Sequence, residues 1–345
     1  MKDPRQSRRP IQLNIPSGAA LAVAVLFVGV SARGGEQVDK NCHSAQVASI
    51  DLVTMADGAP VLPVKVAGYS GFMFLTLRSG VSSLLEKVPE QLALPLEPEN
   101  PRLPLDALRV TVPAALVLDG FDIGAIRLAV VPVNPWFKAP KVGDQSMMGT
   151  VGMNAFLSFD VELNLSAKNL KLYAVGQCTG AALFGDRPFT HVPVLFDELG
   201  SISFPVELNG KKLQATLSTG SIETTLLTDA SRQVFGFDDQ SPGMESEDEL
   251  QGGSHLAYHA MTFSANGFGA MDTKIKLGVT PVRDCKLTAG FISTMLGYRN
   301  CVGLFPVSVG RNVLEHFDVY VATKERVLYL ASAEPEGDKP PATNQ

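Results

Sequence analysis

Short apolar runs rich in Val, Leu and Phe alternate with polar positions and turn residues along most of the chain. That mixture predicts short strands rather than long helices. Residues 62–85, LPVKVAGYSGFMFLTLRSGVSSLL, read as a strand, a Gly-containing hairpin turn, a second strand, then a small polar residue and Gly. Residues 204–227, FPVELNGKKLQATLSTGSIETTLL, show the same order. Pro63 matches Pro205, Gly68 matches Gly210, and Gly80 matches Gly220 once a two-residue difference in turn length is allowed.

A stricter pair lies further on. Residues 152–172 and 310–330 align without gaps, so that Gly152, Asn154, Phe159, Asp160 and Val161 coincide with Gly310, Asn312, Phe317, Asp318 and Val319. Leu170 and Leu172 meet Leu328 and Leu330, and each copy carries a polar turn at Lys168 or Arg326. Two matches in one order point to an internal duplication with a period far too long for a solenoid. The expected fold is all-β: two homologous lobes of six to eight strands, related by a pseudo-twofold axis, with a cleft between them. The first lobe is expected over 45–178 and the second over 192–331. The linker between them reads TGAALFGDRPFTH, and 332–345 is expected to be a disordered tail. PLEPENPRLPLD and the acidic, Gly-rich FDDQSPGMESEDELQGG read as mobile, solvated loops.

The N-terminus changes the setting. A basic stretch, MKDPRQSRRP, precedes the apolar run AALAVAVLFVGV and then Val30-Ser31-Ala32, which suits a signal peptide cleaved after Ala32. The uncharged stretch from Pro10 to Ala32 could instead serve as a retained anchor. Either reading of 1–32 places the folded part outside the cytoplasm, periplasmic or extracellular. In that setting Cys42, Cys178, Cys285 and Cys301 are disulfide candidates, one bridge within each half being the economical choice among three connectivities. No Cys/His spacing suggests zinc, and no cofactor is implied. The formal charge of −6 becomes more negative without the basic N-terminus, and no dense basic patch remains, so nucleic acid is not an expected partner. A membrane enters only through the possible anchor.

The strand-turn segments, with the later Gly-x-Asn-x-Leu/Phe…Phe-Asp-Val segments, resemble the pepsin and retropepsin aspartic proteases, most closely bacterial proteins with two such lobes on one chain. In that family an Asp-Thr/Ser-Gly triplet ends the second strand of each lobe. The resemblance places Arg78-Ser79-Gly80 and Ser218-Thr219-Gly220 at the triplet positions, so both catalytic aspartates are replaced. It also implies that Ser79 and Thr219 form a hydrogen-bonded clasp between the lobes, while Gly80 and Gly220 permit a tight turn. Facing carboxylates share a proton and activate a water held between them. Arg78 stays protonated and Ser218 has no useful acidity, so that route is lost.

Other chemistry has little support. Ser218 as a nucleophile would need a base, and none of His43, His191, His255, His259 or His316 lies in a serine-hydrolase context. His255 and His259 have a metal-like spacing, but the residues around HLAYH read as strand and loop, where i and i+4 lie far apart. Asp160 and Asp318 are expected to satisfy backbone groups at strand starts. The expected function is therefore binding of an extended peptide or envelope protein in the inter-lobe cleft, using Arg78, Ser79, Gly80, Ser218, Thr219 and Gly220. The alternative is an active peptidase with unrecognised catalytic residues, and a third possibility is an inactive remnant. Arg78 could bind a carboxylate, a phosphate or a peptide carbonyl, or it could swing outward or pair with a nearby acid.

Overall fold

The computed structural model describes residues 42, 44–97, 109–131, 141–176, 178–197, 200–227, 230–238, 240–242, 245–251, 254–266, 273–280 and 305–333. The signal or anchor segment, His43, Cys285, Cys301, the tail from residue 334 and most of PLEPENPRLPLD lie outside them; Ser332, expected in the tail, instead ends the strand Val327–Ser332. Among the described residues no helix is long and apolar enough to cross a membrane.

The protein is all-β and two-lobed. The first lobe builds a ten-stranded sheet around the hairpin Pro60–Val66 and Tyr69–Leu75. The second builds an eight-stranded sheet around the hairpin Ile202–Leu208 and Lys211–Leu217. Both hairpins turn through two left-handed residues, Ala67-Gly68 and Asn209-Gly210. That backbone matches the right-handed twist of the flanking strands, and Gly takes the second position without steric cost.

The lobes repeat each other strand by strand. Gln145–Val151 runs parallel to Tyr69–Leu75 and antiparallel to Ser83–Leu85, which in turn runs parallel to Ala129–Val131. In the second lobe Val307–Val309 runs parallel to Lys211–Leu217 and antiparallel to Thr224–Leu227, which runs parallel to Thr273–Thr280. Alternate residues of these strands, such as Val64, Val66, Met73 and Leu75, or Phe204, Val206, Ala215 and Leu217, point into one continuous apolar core. Full burial of each aliphatic side chain contributes about 1.5–3 kcal/mol.

A third, six-stranded sheet joins the halves. At its centre Phe159–Asn164 pairs antiparallel with Phe317–Ala322. Val161 lies opposite Val321 and Leu163 opposite Val319, with Glu162 and Tyr320 at the pivot. Shifting by one duplication period exchanges the two strands, as a local twofold requires. Every residue of Phe317–Ala322 is buried because both faces of this sheet are covered. Val319 and Val321 enter the main core, while Tyr320 and Ala322 join Tyr173, Tyr329 and Phe184 in a second, aromatic cluster.

The segment read as a linker covers that cluster. Its helix Gly180–Phe184 lies against Tyr329, so closely that a Cβ on Gly180 would stand 2.4 Å from the ring. The strand Phe189–Pro193 then pairs with Val327–Ser332 as one edge of the shared sheet. The opposite edge is Gln46–Asp51, paired with Asn169–Ala174. Just before it, Cys42 is bonded to Cys178, fastening the start of the first lobe to the linker helix.

Two expectations are corrected. Part of the acidic segment read as a loop, Glu245–Gln251, is a strand paired with Ser254–Asn266. Its charges lower β-propensity, but the long neighbouring strand supplies a complete hydrogen-bonding ladder. Asp160 does satisfy a backbone group, accepting from Thr323 N–H at 2.8 Å and Thr323 Oγ1 at 2.9 Å. Asp318 instead pairs with Arg187 at 2.5 Å and accepts from the Asn164 amide, so only one copy fits the expectation.

Candidate functional site

Equivalent strands end at Leu75 and Leu217, and the chain then turns toward the other lobe. Which residues correspond in these turns follows from their hydrogen bonds. Thr76 N–H donates to Val151 O at 3.0 Å, as Ser218 N–H donates to Val309 O at 2.8 Å. Met153 and Asn154 N–H donate to the carbonyls of Ser79 and Gly80 at 2.8 and 3.1 Å. Arg311 and Asn312 N–H donate to those of Ser221 and Ile222 at 3.0 and 2.9 Å.

The side chains agree. Asn154 Oδ1 accepts from Ser82 N–H and Oγ at 2.8 and 2.6 Å, while Ser82 Oγ accepts from Gly152 N–H at 2.9 Å. Asn312 Oδ1 accepts from Thr224 N–H and Oγ1 at 2.9 and 2.8 Å, while Thr224 Oγ1 accepts from Gly310 N–H at 2.9 Å. Ser82 and Thr224 are almost fully buried, so each polar atom needs such a partner. The glycines are required by close packing: a Cβ on Gly152 would meet Val81 backbone at 2.6 Å, and one on Gly310 would meet Glu223 backbone at 2.2 Å.

These contacts overturn the pairing of Gly80 with Gly220. The two segments match without any gap, and the counterpart of Ser218 is Thr76, not Arg78. Thr76-Leu77-Arg78 therefore stands opposite Ser218-Thr219-Gly220. Ser79 corresponds to Ser221, and Gly80 to Ile222. Neither Gly80 nor Gly220 has a positive φ, and a Cβ on Gly220 would meet nothing within 4 Å, so the expected glycine requirement at the turn is absent.

Each candidate residue has a definite place. Ser218 is buried, and its hydroxyl bonds to that of Ser221 at 2.8 Å. Thr219 is also buried and donates its hydroxyl across the lobes to Leu75 O at 2.5 Å. Ser79 makes no reciprocal clasp: its hydroxyl donates to Val81 O at 2.8 Å and accepts from Val81 N–H at 3.1 Å within its own turn. The residue corresponding to Thr219 is Leu77, which is fully buried and has no hydroxyl to offer. Gly80 N–H crosses to the second lobe instead, donating to Ser201 Oγ at 3.0 Å. Gly220 is exposed.

Arg78 is exposed and forms no hydrogen bond or ion pair with any described residue. Its guanidinium pKa is nevertheless lowered from the ordinary arginine value, by desolvation alone. Arginine's high intrinsic basicity keeps the group charged all the same.

No sequence motif marks Arg311, which the structure brings to the lobe interface. It corresponds to Met153 but is a nearly buried cation whose Nη2 donates across the lobes to Asp57 O at 2.6 Å. Its Nε is buried without a hydrogen-bond partner. Gly58, at φ +79°, leaves room for it, since a Cβ there would stand 2.6 Å from Nη1. Thr76, half-buried at the strand end, is likewise invisible to a register that pairs Gly80 with Gly220.

His191 lies in the shared sheet, 5.8 Å from the Tyr329 ring between centroids. His255 and His259 fall on the strand Ser254–Asn266, where four residues span about 13 Å, too far for one metal ion. Among the described residues no group of three or more His, Cys, Asp or Glu could hold a metal.

No protein-family model matches the chain, and no curated protein matches it. One solved structure with a similar course is an aspartic proteinase from Irpex lacteus, 11% identical, with a TM-score of 0.43, covering 83% of this chain and 97% of that one. The two-lobed architecture rests on the strand pairing of the chain itself, independently of that likeness.

Proposed function

We propose that this chain is an exported, non-catalytic protein that holds an extended polypeptide between its two lobes. The observation that carries the reading is the hydroxyl pair Thr76 and Ser218 at the two strand ends that the hydrogen-bond frame makes equivalent. A carboxylate pair there would activate water; two hydroxyls cannot, because neither ionises near neutral pH. Ser218 as a nucleophile would need a base, and its hydroxyl partner is another serine. Polypeptide binding needs only main-chain partners and side-chain recesses along a groove, both of which outlast the loss of catalytic groups. Export fits the Cys42–Cys178 disulfide, a bond that persists in oxidising compartments.

The test uses the purified full-length chain and a library of short peptides between pH 3 and 8. Binding without cleavage is expected. Affinity should fall when alternate peptide amides are N-methylated, because strand-like pairing loses its donors. Mass-spectrometric detection of cleavage by the unmodified chain, lost on Ser218→Ala, would overturn the reading in favour of a peptidase.

A further inference from the structure

The two turns differ most in charge. Where the second lobe has Gly220, the first has Arg78, so a single long cation rises from one side of the pseudo-symmetric pair. The turn that carries it is fixed on both sides. Thr76 N–H is tied to Val151 O, the carbonyls of Ser79 and Gly80 to Met153 and Asn154 N–H, and Gly80 N–H to Ser201 Oγ.

A backbone held this way fixes where the side chain starts, so less backbone entropy is lost when a ligand docks. Arg78 also stands apart from other cations in the fold. Arg127 pairs with Glu97, Lys171 with Glu162 and Arg187 with Asp318. Arg78 has no such partner among the described residues, and no neighbouring charge contributes to its lowered pKa. In a chain with 35 acidic residues against 29 Lys and Arg, an exposed arginine with no partner among the described residues is open to an anion from outside the chain. The planar guanidinium fork matches a carboxylate with two parallel hydrogen bonds.

We propose that Arg78 anchors a carboxylate of the bound polypeptide, either an acidic side chain or the C-terminal carboxylate. This rests on the reading that a polypeptide lies between the lobes.

The experiment compares three matched pools of fluorescently labelled peptides on the full-length protein. One pool is neutral with amidated C-termini, one has free C-termini, and one is amidated with a central Glu. At least one carboxylate pool should bind about tenfold more tightly than the neutral pool, as a charge-assisted pair provides. Whichever pool carries the preference identifies the source of the carboxylate. Arg78→Gln should abolish the preference, Arg78→Lys should keep part of it, and added salt should weaken it. Arg78→Gln should melt with the unmodified protein, since the side chain is exposed and has no partner among the described residues. Equal binding of all three pools, or a preference that survives Arg78→Gln, overturns the anchor and leaves the groove reading standing. Binding of no pool overturns both.

Discussion

At the end of its second strand the first lobe reads Thr76-Leu77-Arg78, where the second reads Ser218-Thr219-Gly220. Behind these turns the lobes are nearly interchangeable. An asparagine carbonyl oxygen holds a serine or threonine by both its N–H and hydroxyl, and that hydroxyl receives the N–H of a glycine. In front of the frame the lobes diverge: Leu77 against Thr219, Arg78 against Gly220, Met153 against Arg311. The contrast has a physical reason. The frame consists of buried polar groups, and removing one leaves its partner desolvated and unpaired, at about 1–3 kcal/mol. The side chains at the differing positions each answer to a single contact, apolar packing for Leu77 and Met153 or one hydrogen bond across the lobes for Thr219 and Arg311, so one can change without the reciprocal network of the frame.

The sharpest way to break the comparison is to restore the carboxylates. Thr76→Asp/Ser218→Asp places acids at positions that the frame makes equivalent. Peptide cleavage at acidic pH is expected from this variant and not from Arg78→Asp/Ser218→Asp. Cleavage by the second variant alone would overturn the gapless register. A mass-spectrometric comparison of both variants against the unmodified protein gives the answer.

Much of the frame was legible in the sequence, and the site was legible only in part. Gly68 and Gly210 mark the hairpins because two-residue turns with both residues left-handed restrict their sequence. Gly152, Asn154, Gly310 and Asn312 stand out because close packing and buried acceptors tolerate few replacements. Gly80 misleads for the opposite reason. It resembles Gly220 in name, but its backbone corresponds to Ile222, and only the hydrogen bonds distinguish identity from equivalence. Glu245–Gln251 is hidden because its pairing is supplied by a neighbouring strand rather than by its own residues.

A second difference between the halves is fastening. The shared sheet has equivalent edges, Gln46–Asp51 and Phe189–Pro193, and the first is secured by Cys42–Cys178 across 136 residues. Closing so long a loop restricts the unfolded chain and contributes about 3–5 kcal/mol in the chain-entropy description. Cys42→Ser/Cys178→Ser should therefore lower the unfolding free energy by about that amount, measured by denaturant titration. A change below about 1 kcal/mol would mean that the unfolded chain is already compact enough to make the bond redundant.

The smallest expected effect concerns the one-sided clasp. Thr219 reaches Leu75 O across the lobes, whereas its counterpart Leu77 is packed in the apolar core. Thr219→Val keeps the shape but removes the hydroxyl, leaving a buried carbonyl without its donor at about 1–2 kcal/mol. Leu77→Thr should destabilise too, but by a different route. It places a hydroxyl among apolar side chains and gives up part of the buried area. By the twofold relation a hydroxyl at 77 faces the Leu217 carbonyl, as that of Thr219 faces the Leu75 carbonyl. If the first lobe can close this mirrored contact, Leu77→Thr should unfold at a higher denaturant concentration than Leu77→Val, which has its shape but no hydroxyl. A Leu77→Val that is the more stable of the two would mean that the twofold relation governs the backbone alone, and that the clasp depends on the particular approach of Thr219 to Leu75.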